Sequence, residues 1–168
     1  MRTIVNSVLR LAQFFLILIA TALLGNVRAN SQHAAGTATA AINFSLFVCA
    51  LAWLAVLYGL VANFVSAVAI PVVALALDGL STLFTFIGAV VLSAKLTTVN
   101  CGNWGSRASD WIAFGSGNDH KRCREIQAGL VFMWFLFGTF AATLFFTFKE
   151  FRRSGGSVGR PSMSQIGV

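Results

Sequence analysis

The sequence predicts an all-α membrane protein, a bundle of four transmembrane helices, on three observations. From Ala29 to Ala94 it runs 66 residues with a single charged side chain, Asp78. One bilayer crossing takes about 20 apolar residues, so that run holds two crossings and a turn. Two further apolar segments flank it, Leu11–Val27 between Arg10 and Arg28, and Ile126–Phe148 between Glu125 and Lys149. The composition agrees: 57% hydrophobic, 10% charged and a mean hydropathy of +0.80 over 168 residues, more apolar surface than a soluble chain of this size can hide from water. Four crossings leave both termini on the same side.

Each element follows in order. Arg2, Asn6 and Arg10 recur at four-residue spacing with Val5, Val8, Leu9 and Ala12 opposite. Residues 3–10 therefore read as an amphipathic lead-in lying in the interface. The first span covers residues 8–27, with Arg10 and Arg28 snorkelling outward. A rival reading takes Arg2, Arg10, the apolar Leu11–Leu24 and small Ala29 as a cleaved signal peptide; it leaves three spans and a mature chain about 3 kDa lighter. A polar connection, Arg28–Ala41, leads to the second span at 42–62. An uncharged turn, Asn63–Ala69, makes a tight hairpin with the third span at 70–94, whose Pro71 suits a first helical turn. Residues 95–126 form the one large loop and 127–148 the fourth span. Residues 1–150 thus make one membrane domain, followed by a Gly- and Ser-rich basic tail, 151–168, that reads as disordered.

Charge excludes one class of partner and leaves orientation open. The net charge of +7 sits at span ends rather than in a patch, which argues against nucleic acid. Arg2, Arg10, Lys149, Arg152, Arg153 and Arg160 on the terminal side balance Arg28, Lys95, Arg107, Lys121, Arg122 and Arg124 on the other. Six against six gives the positive-inside rule nothing to choose. Cys101 and Cys123 break the tie. A disulfide between them would persist only in an oxidising compartment, which places the loop outside and both termini in the cytoplasm. The alternative for these cysteines is zinc with His120, which lacks a fourth ligand.

Asp78 is the sharpest candidate, because an ionisable group within a span costs at least ~2.5 kcal/mol on insertion scales. Pro71, Ala74, Asp78, Ser81, Thr82, Thr85, Gly88 and Ala89 form one small, polar stripe. Tyr58 and the hydroxyls of Ser81, Thr82 and Thr85 are the expected partners of its carboxyl group. The carboxyl reads as a packing group, a lipid or conformational sensor, or part of a proton or cation path; the last lacks a second intramembrane charge. Arg2, Arg10, Lys149, Arg152 and Arg153 read as headgroup contacts, each worth ~1 kcal/mol against an anionic leaflet. Phosphorylation of Ser154, Ser157, Ser162 or Ser164 would weaken that attraction.

Trp104, Trp111 and Phe114 read as interfacial anchors. Seven of the 16 phenylalanines lie in the fourth span, all round the helix, as lipid-facing bulk. Ala55/Gly59 and Gly138/Ala142 are small pairs suited to close helix contact, within the bundle or between copies. Asn43-Phe-Ser45 matches a glycosylation sequon at the mouth of a span, where no glycan is expected. No nucleophile–base pair, carboxylate pair or phosphate loop is visible, so neither an enzyme nor a cofactor is expected, and bound lipid or sterol is.

Leu9-Arg10 ahead of the first span, Leu57-Tyr58-Gly59 with Ala62-Asn63-Phe64 closing the second, and Leu77-Asp78 in the third follow one another in a familiar order. Cys101 with Arg122-Cys123-Arg124, and the terminal Ser164-Gln165-Ile166-Gly167-Val168, complete it. The pattern resembles the fungal non-classical export protein family, four-span proteins with a MARVEL domain. That resemblance implies a plasma-membrane protein of furrow-like lateral domains (eisosomes), linked to eisosome assembly, sphingolipid levels and leaderless export. It implies sphingolipid, sterol and anionic lipid as partners, with copies of itself or other plasma-membrane proteins. The rivals are an accessory subunit of a larger pump or enzyme, and a proton or small-solute pathway.

Overall fold

The computed structural model describes residues 2–65, 70–97, 100–102 and 108–153, without the side chains of residues 2–4, 63, 64, 150 and 153. Four helices account for most of it: α1 (Arg2–Ala29), α2 (Gly36–Phe64), α3 (Pro71–Leu96) and α4 (Asp119–Arg153). All four are long and apolar enough to cross a membrane. At 1.5 Å per residue they reach about 39 to 53 Å, beyond a hydrocarbon core of about 30 Å. They alternate up and down in a ring. α1 touches α2 and α4, α3 touches α2 and α4, and the diagonal pairs make no backbone contact.

Helical period sets the inward faces. The buried residues of α1 are Arg10, Gln13, Ile17, Ala20, Leu24 and Val27, alternating steps of three and four. α4 repeats the rhythm through Arg122, Ile126, Gly129, Met133, Leu136, Phe140 and Thr143. That spacing is the seam of left-handed bundle packing. Outside, Phe15, Leu54, Leu83 and Phe135 are exposed, as lipid contact requires. The polar stripe of α3 faces in: Asp78, Ser81, Thr85, Gly88 and Ala89 are all buried.

Several boundaries move. The sequence-based spans at 42–62 and 127–148 are cores of longer helices, because Gly36–Ala41 and Asp119–Ile126 also coil. The large loop is correspondingly shorter. At the start of α1 the amphipathic reading is inside out: Val8 is 60% exposed and Arg10 only 3%. In water a helix buries its apolar face; in lipid it buries its polar one. α1 is one member of the bundle, wedged between α2 and α4.

The end away from the termini is closed by the loop. Cys101 and Cys123 form a disulfide with Cα atoms 5.9 Å apart, which removes both sulfurs from any metal site. Trp111 is only 7% exposed and donates its indole N–H to Leu96 O at 3.1 Å, so it plugs the end of α3. It is a core residue of the loop, not an interfacial anchor, and Phe114 packs edge-on against it at 5.3 Å. Gly115 O accepts the N–H groups of both Gln32 and His33 at 3.1 Å. Gly115 has φ +95°, and a Cβ there would strike the backbone of Ala34, so only glycine fits. Trp104 lies outside the described residues.

A buried ion pair joining four helices

One turn or two inside the terminal face, roughly 10 Å from the helix ends by residue count, the polar side chains of the bundle converge. Arg10 Nη1 donates to Asp78 Oδ1 at 2.7 Å and Nη2 to Asp78 Oδ2 at 2.6 Å. Both residues are buried. This two-pronged fork is the strongest pairing of guanidinium and carboxylate. It runs from α1 to α3, across the diagonal of the ring.

The neighbours complete the centre. Arg10 Nη1 also donates to Gln13 Oε1 at 3.2 Å, and Gln13 Nε2 donates to Thr143 Oγ1 on α4 at 3.1 Å. α2 contributes an absence of side chain. A Cβ on Gly59 would overlap Arg10 Nε and lie 2.7 Å from its Cζ. Gly59 therefore opens the lane through which Arg10 reaches Asp78, and α4 joins the same centre through Gln13. Arg10 Nε, facing that lane, has no partner among the described residues.

These positions correct the sequence reading in three places. Arg10 is not a headgroup contact but the counter-ion of Asp78, so a second intramembrane charge does exist. Tyr58 does not bond the carboxyl group: its hydroxyl accepts Ile70 N–H at 3.2 Å and donates to Ile70 O at 3.3 Å, tying α2 to the residue before α3. Nor do the hydroxyls bond the carboxylate. Thr82 Oγ1 donates to Asp78 O at 2.6 Å and Thr85 Oγ1 to Ser81 O at 2.6 Å, each bonding its own helix backbone, while Ser81 Oγ is enclosed without a partner among the described residues. Antiparallel counting along the spans brings Thr21 and Thr139 or Thr143 to the depth of Asp78; of these Thr143 joins the centre, while Thr21 accepts the indole N–H of Trp53 at 3.2 Å and Thr139 bonds its own helix backbone.

Gln13 and Gly59 are the participants sequence reasoning did not assign to this centre. A signal existed for Gln13: it continues the Asn6, Arg10 row at the next helical step. In the fourth helix Phe140 is fully buried, so its phenylalanines are not all lipid bulk, although Phe135, Phe145, Phe146 and Phe148 are exposed. Lys149 and Arg152 are exposed beyond them, Arg152 lying 5.9 Å from the Phe148 ring centre. The side chains of Arg2 and Arg153, and residues Ser154, Ser157, Ser162 and Ser164, lie outside the described structure. Among the described residues no three His, Cys, Asp or Glu side chains gather into a metal-binding group. The pair can do one thing well: it neutralises two charges in a dry interior and fixes α1 and α3 in register.

Comparison with known proteins places this architecture. Residues 3–146 match the MARVEL membrane-associating domain model. The chain is 32% identical to Non-classical export protein 2 of Saccharomyces cerevisiae (strain ATCC 204508 / S288c), over 99% of its own length and 100% of that protein. It is 29% identical to Non-classical export protein 2 homolog 1 of the same yeast, over 72% of its own length and 66% of that protein. No solved structure matches. With a domain match over most of its length and an end-to-end relative, this chain belongs to the MARVEL membrane-associating domain family, among the fungal non-classical export proteins.

Proposed function

We propose that the protein organises lateral domains of the plasma membrane, in eisosome assembly and sphingolipid-linked membrane order, and contributes through that to non-classical protein export. The observation that carries the reading is the inside-out distribution of polarity. The charges of Arg10 and Asp78 are spent on each other, leaving an outer surface of Phe, Leu, Val and Ile for lipid and neighbouring proteins. A paired interior makes a stiff bundle whose work is done at its surface. The name of the yeast relative supports a link to export, and the family supports a membrane-organising rather than catalytic role.

In this reading both termini face the cytoplasm, because the Cys101–Cys123 bridge survives only in an oxidising compartment. Lys149 and Arg152, with Arg2 and Arg153, meet the anionic leaflet, and Ser154, Ser157, Ser162 and Ser164 tune that contact when phosphorylated. Sphingolipid and sterol are the expected lipids. Copies of the same chain are the expected protein partners.

Imaging a fluorescent fusion in living fungal cells tests this. Patches at the cell border that disperse when sphingolipid synthesis is inhibited are expected. An even distribution, or residence in internal membranes, would overturn it. Purification in mild detergent separates the remaining alternative, since a stoichiometric larger partner would make the chain an accessory subunit.

A further inference from the structure

At the end opposite the ion pair, a cleft of about 210 Å³ opens between the end of α1 and the start of α4. Its polar lining includes Gln32, Asn118, Lys121, Arg122 and Glu125. Arg122 is 2% exposed. Its Nε donates to Ile112 O at 3.0 Å and its Nη1 to Ser31 Oγ at 2.6 Å, while Nη2 is enclosed with no partner among the described residues. A guanidinium N–H shut away from water without an acceptor is costly, and native structures rarely leave one so.

The charge around it is incompletely answered. Glu125, the one carboxylate in the lining, is already engaged: its Oε1 accepts Asn26 Nδ2 at 2.7 Å and lies 3.6 Å from Lys121 Nζ. Asp119, just outside, accepts Ser116 N–H at 2.9 Å. The Asp119 carboxylate still answers part of the Arg122 charge, and Arg28 opposes it with a smaller effect of the other sign. Lys121 is 64% exposed in its side chain, and Gln32 and Asn118 are exposed beside it, each able to turn an amide N–H into the cleft.

We propose that this cleft binds a phosphoryl group, held by Lys121 and Arg122 with amide donation from Gln32 and Asn118. A phosphoryl group offers three oxygens to donors arriving from several directions, whereas a carboxylate offers one planar edge. It supplies the acceptor that Nη2 lacks, through a small rotation of the guanidinium about its bond to Ile112. The cleft lies at the membrane boundary, so the group comes either from a lipid headgroup or from phosphate in solution. This inference is independent of the role in lateral organisation.

Two measurements on the full chain test it. Inorganic phosphate is titrated calorimetrically into the protein in detergent, and thermal unfolding is followed in phosphatidylcholine nanodiscs with and without phosphatidic acid. Lys121→Glu is compared with Arg124→Glu, the same charge change on an exposed neighbour outside the cleft. Roughly tenfold weaker phosphate binding in Lys121→Glu, against less than about twofold in Arg124→Glu, supports the site and a soluble source. Stabilisation by phosphatidic acid alone, lost in Lys121→Glu and kept in Arg124→Glu, supports it with a headgroup source. No response to either probe, or equal losses in the two variants, overturns it.

Discussion

Replacing Asp78 with Leu removes both acceptors of the Arg10 fork and leaves that guanidinium with Gln13 Oε1 in the interior. Breaking a buried ion pair from one side costs about 3–5 kcal/mol, because the partner stays charged and dry. Arg10→Met strands Asp78 in the same way and costs a similar amount. If the two losses were independent the double variant would lose about 6–10 kcal/mol, more than many domains possess. The pair predicts otherwise. With both charges gone nothing is stranded, and a hydrophobic replacement of similar volume is neutral or stabilising by about 1–4 kcal/mol. Reversible unfolding of the four proteins in mixed micelles gives the coupling directly. A double variant near wild type confirms the pair. Losses that simply add would show that Arg10 and Asp78 act separately, and the reasoning from the fork would fail.

Other outcomes follow from the same geometry. Gly59→Ala places a methyl where Arg10 passes and is expected to cost about 1–3 kcal/mol, with much of that recovered in an Arg10→Met background. Gly88→Ala overlaps only the mobile end of Met133 and meets Val48 at ordinary contact distance, so a loss under about 1 kcal/mol is expected in the same unfolding assay. Reducing the Cys101–Cys123 bridge should lower stability by about 3 kcal/mol, read as the gap between oxidised and reduced wild type. Gly115→Ala cannot hold φ +95° or clear Ala34, so the loop should loosen and the amide N–H groups of Gln32 and His33 should lose protection from hydrogen exchange.

The four helices were legible because lipid imposes a blunt rule: a span is a long run without charge. The inward face of α3 was legible too, since Asp78, Ser81, Thr85 and Gly88 recur at helical spacing. What misled was the assumption that charge marks the edge of a span. Arg10 borders the charge-free run Leu11–Val27, so it reads as a boundary; yet it stands seven residues before Ile17 and fourteen before Leu24, in phase with the buried seam. Phase was the better guide. Once Arg10 is placed on that seam, a second intramembrane charge is available and Asp78 needs neither Tyr58 nor a hydroxyl. The lane at Gly59 was harder to read, because a small residue in a small-xxx-small pair signals close approach without naming what approaches. Trp111 was misplaced for a different reason. Tryptophan at a membrane edge belongs to the interface on average, but here the Cys101–Cys123 bridge folds the loop into a cap with its own small core.

Solid-state NMR in lipid bilayers addresses the crossing of α1 to α3 most plainly, by measuring the separation of Arg10 Cζ from Asp78 Cγ in protein labelled at arginine and aspartate. A bidentate pair holds these carbons about 4 Å apart, so a strong cross-peak is expected, absent from an Asp78→Asn sample. No such cross-peak, with the Arg10 N–H groups exchanging freely with water, would put that side chain at the membrane surface and leave the bundle without its centre.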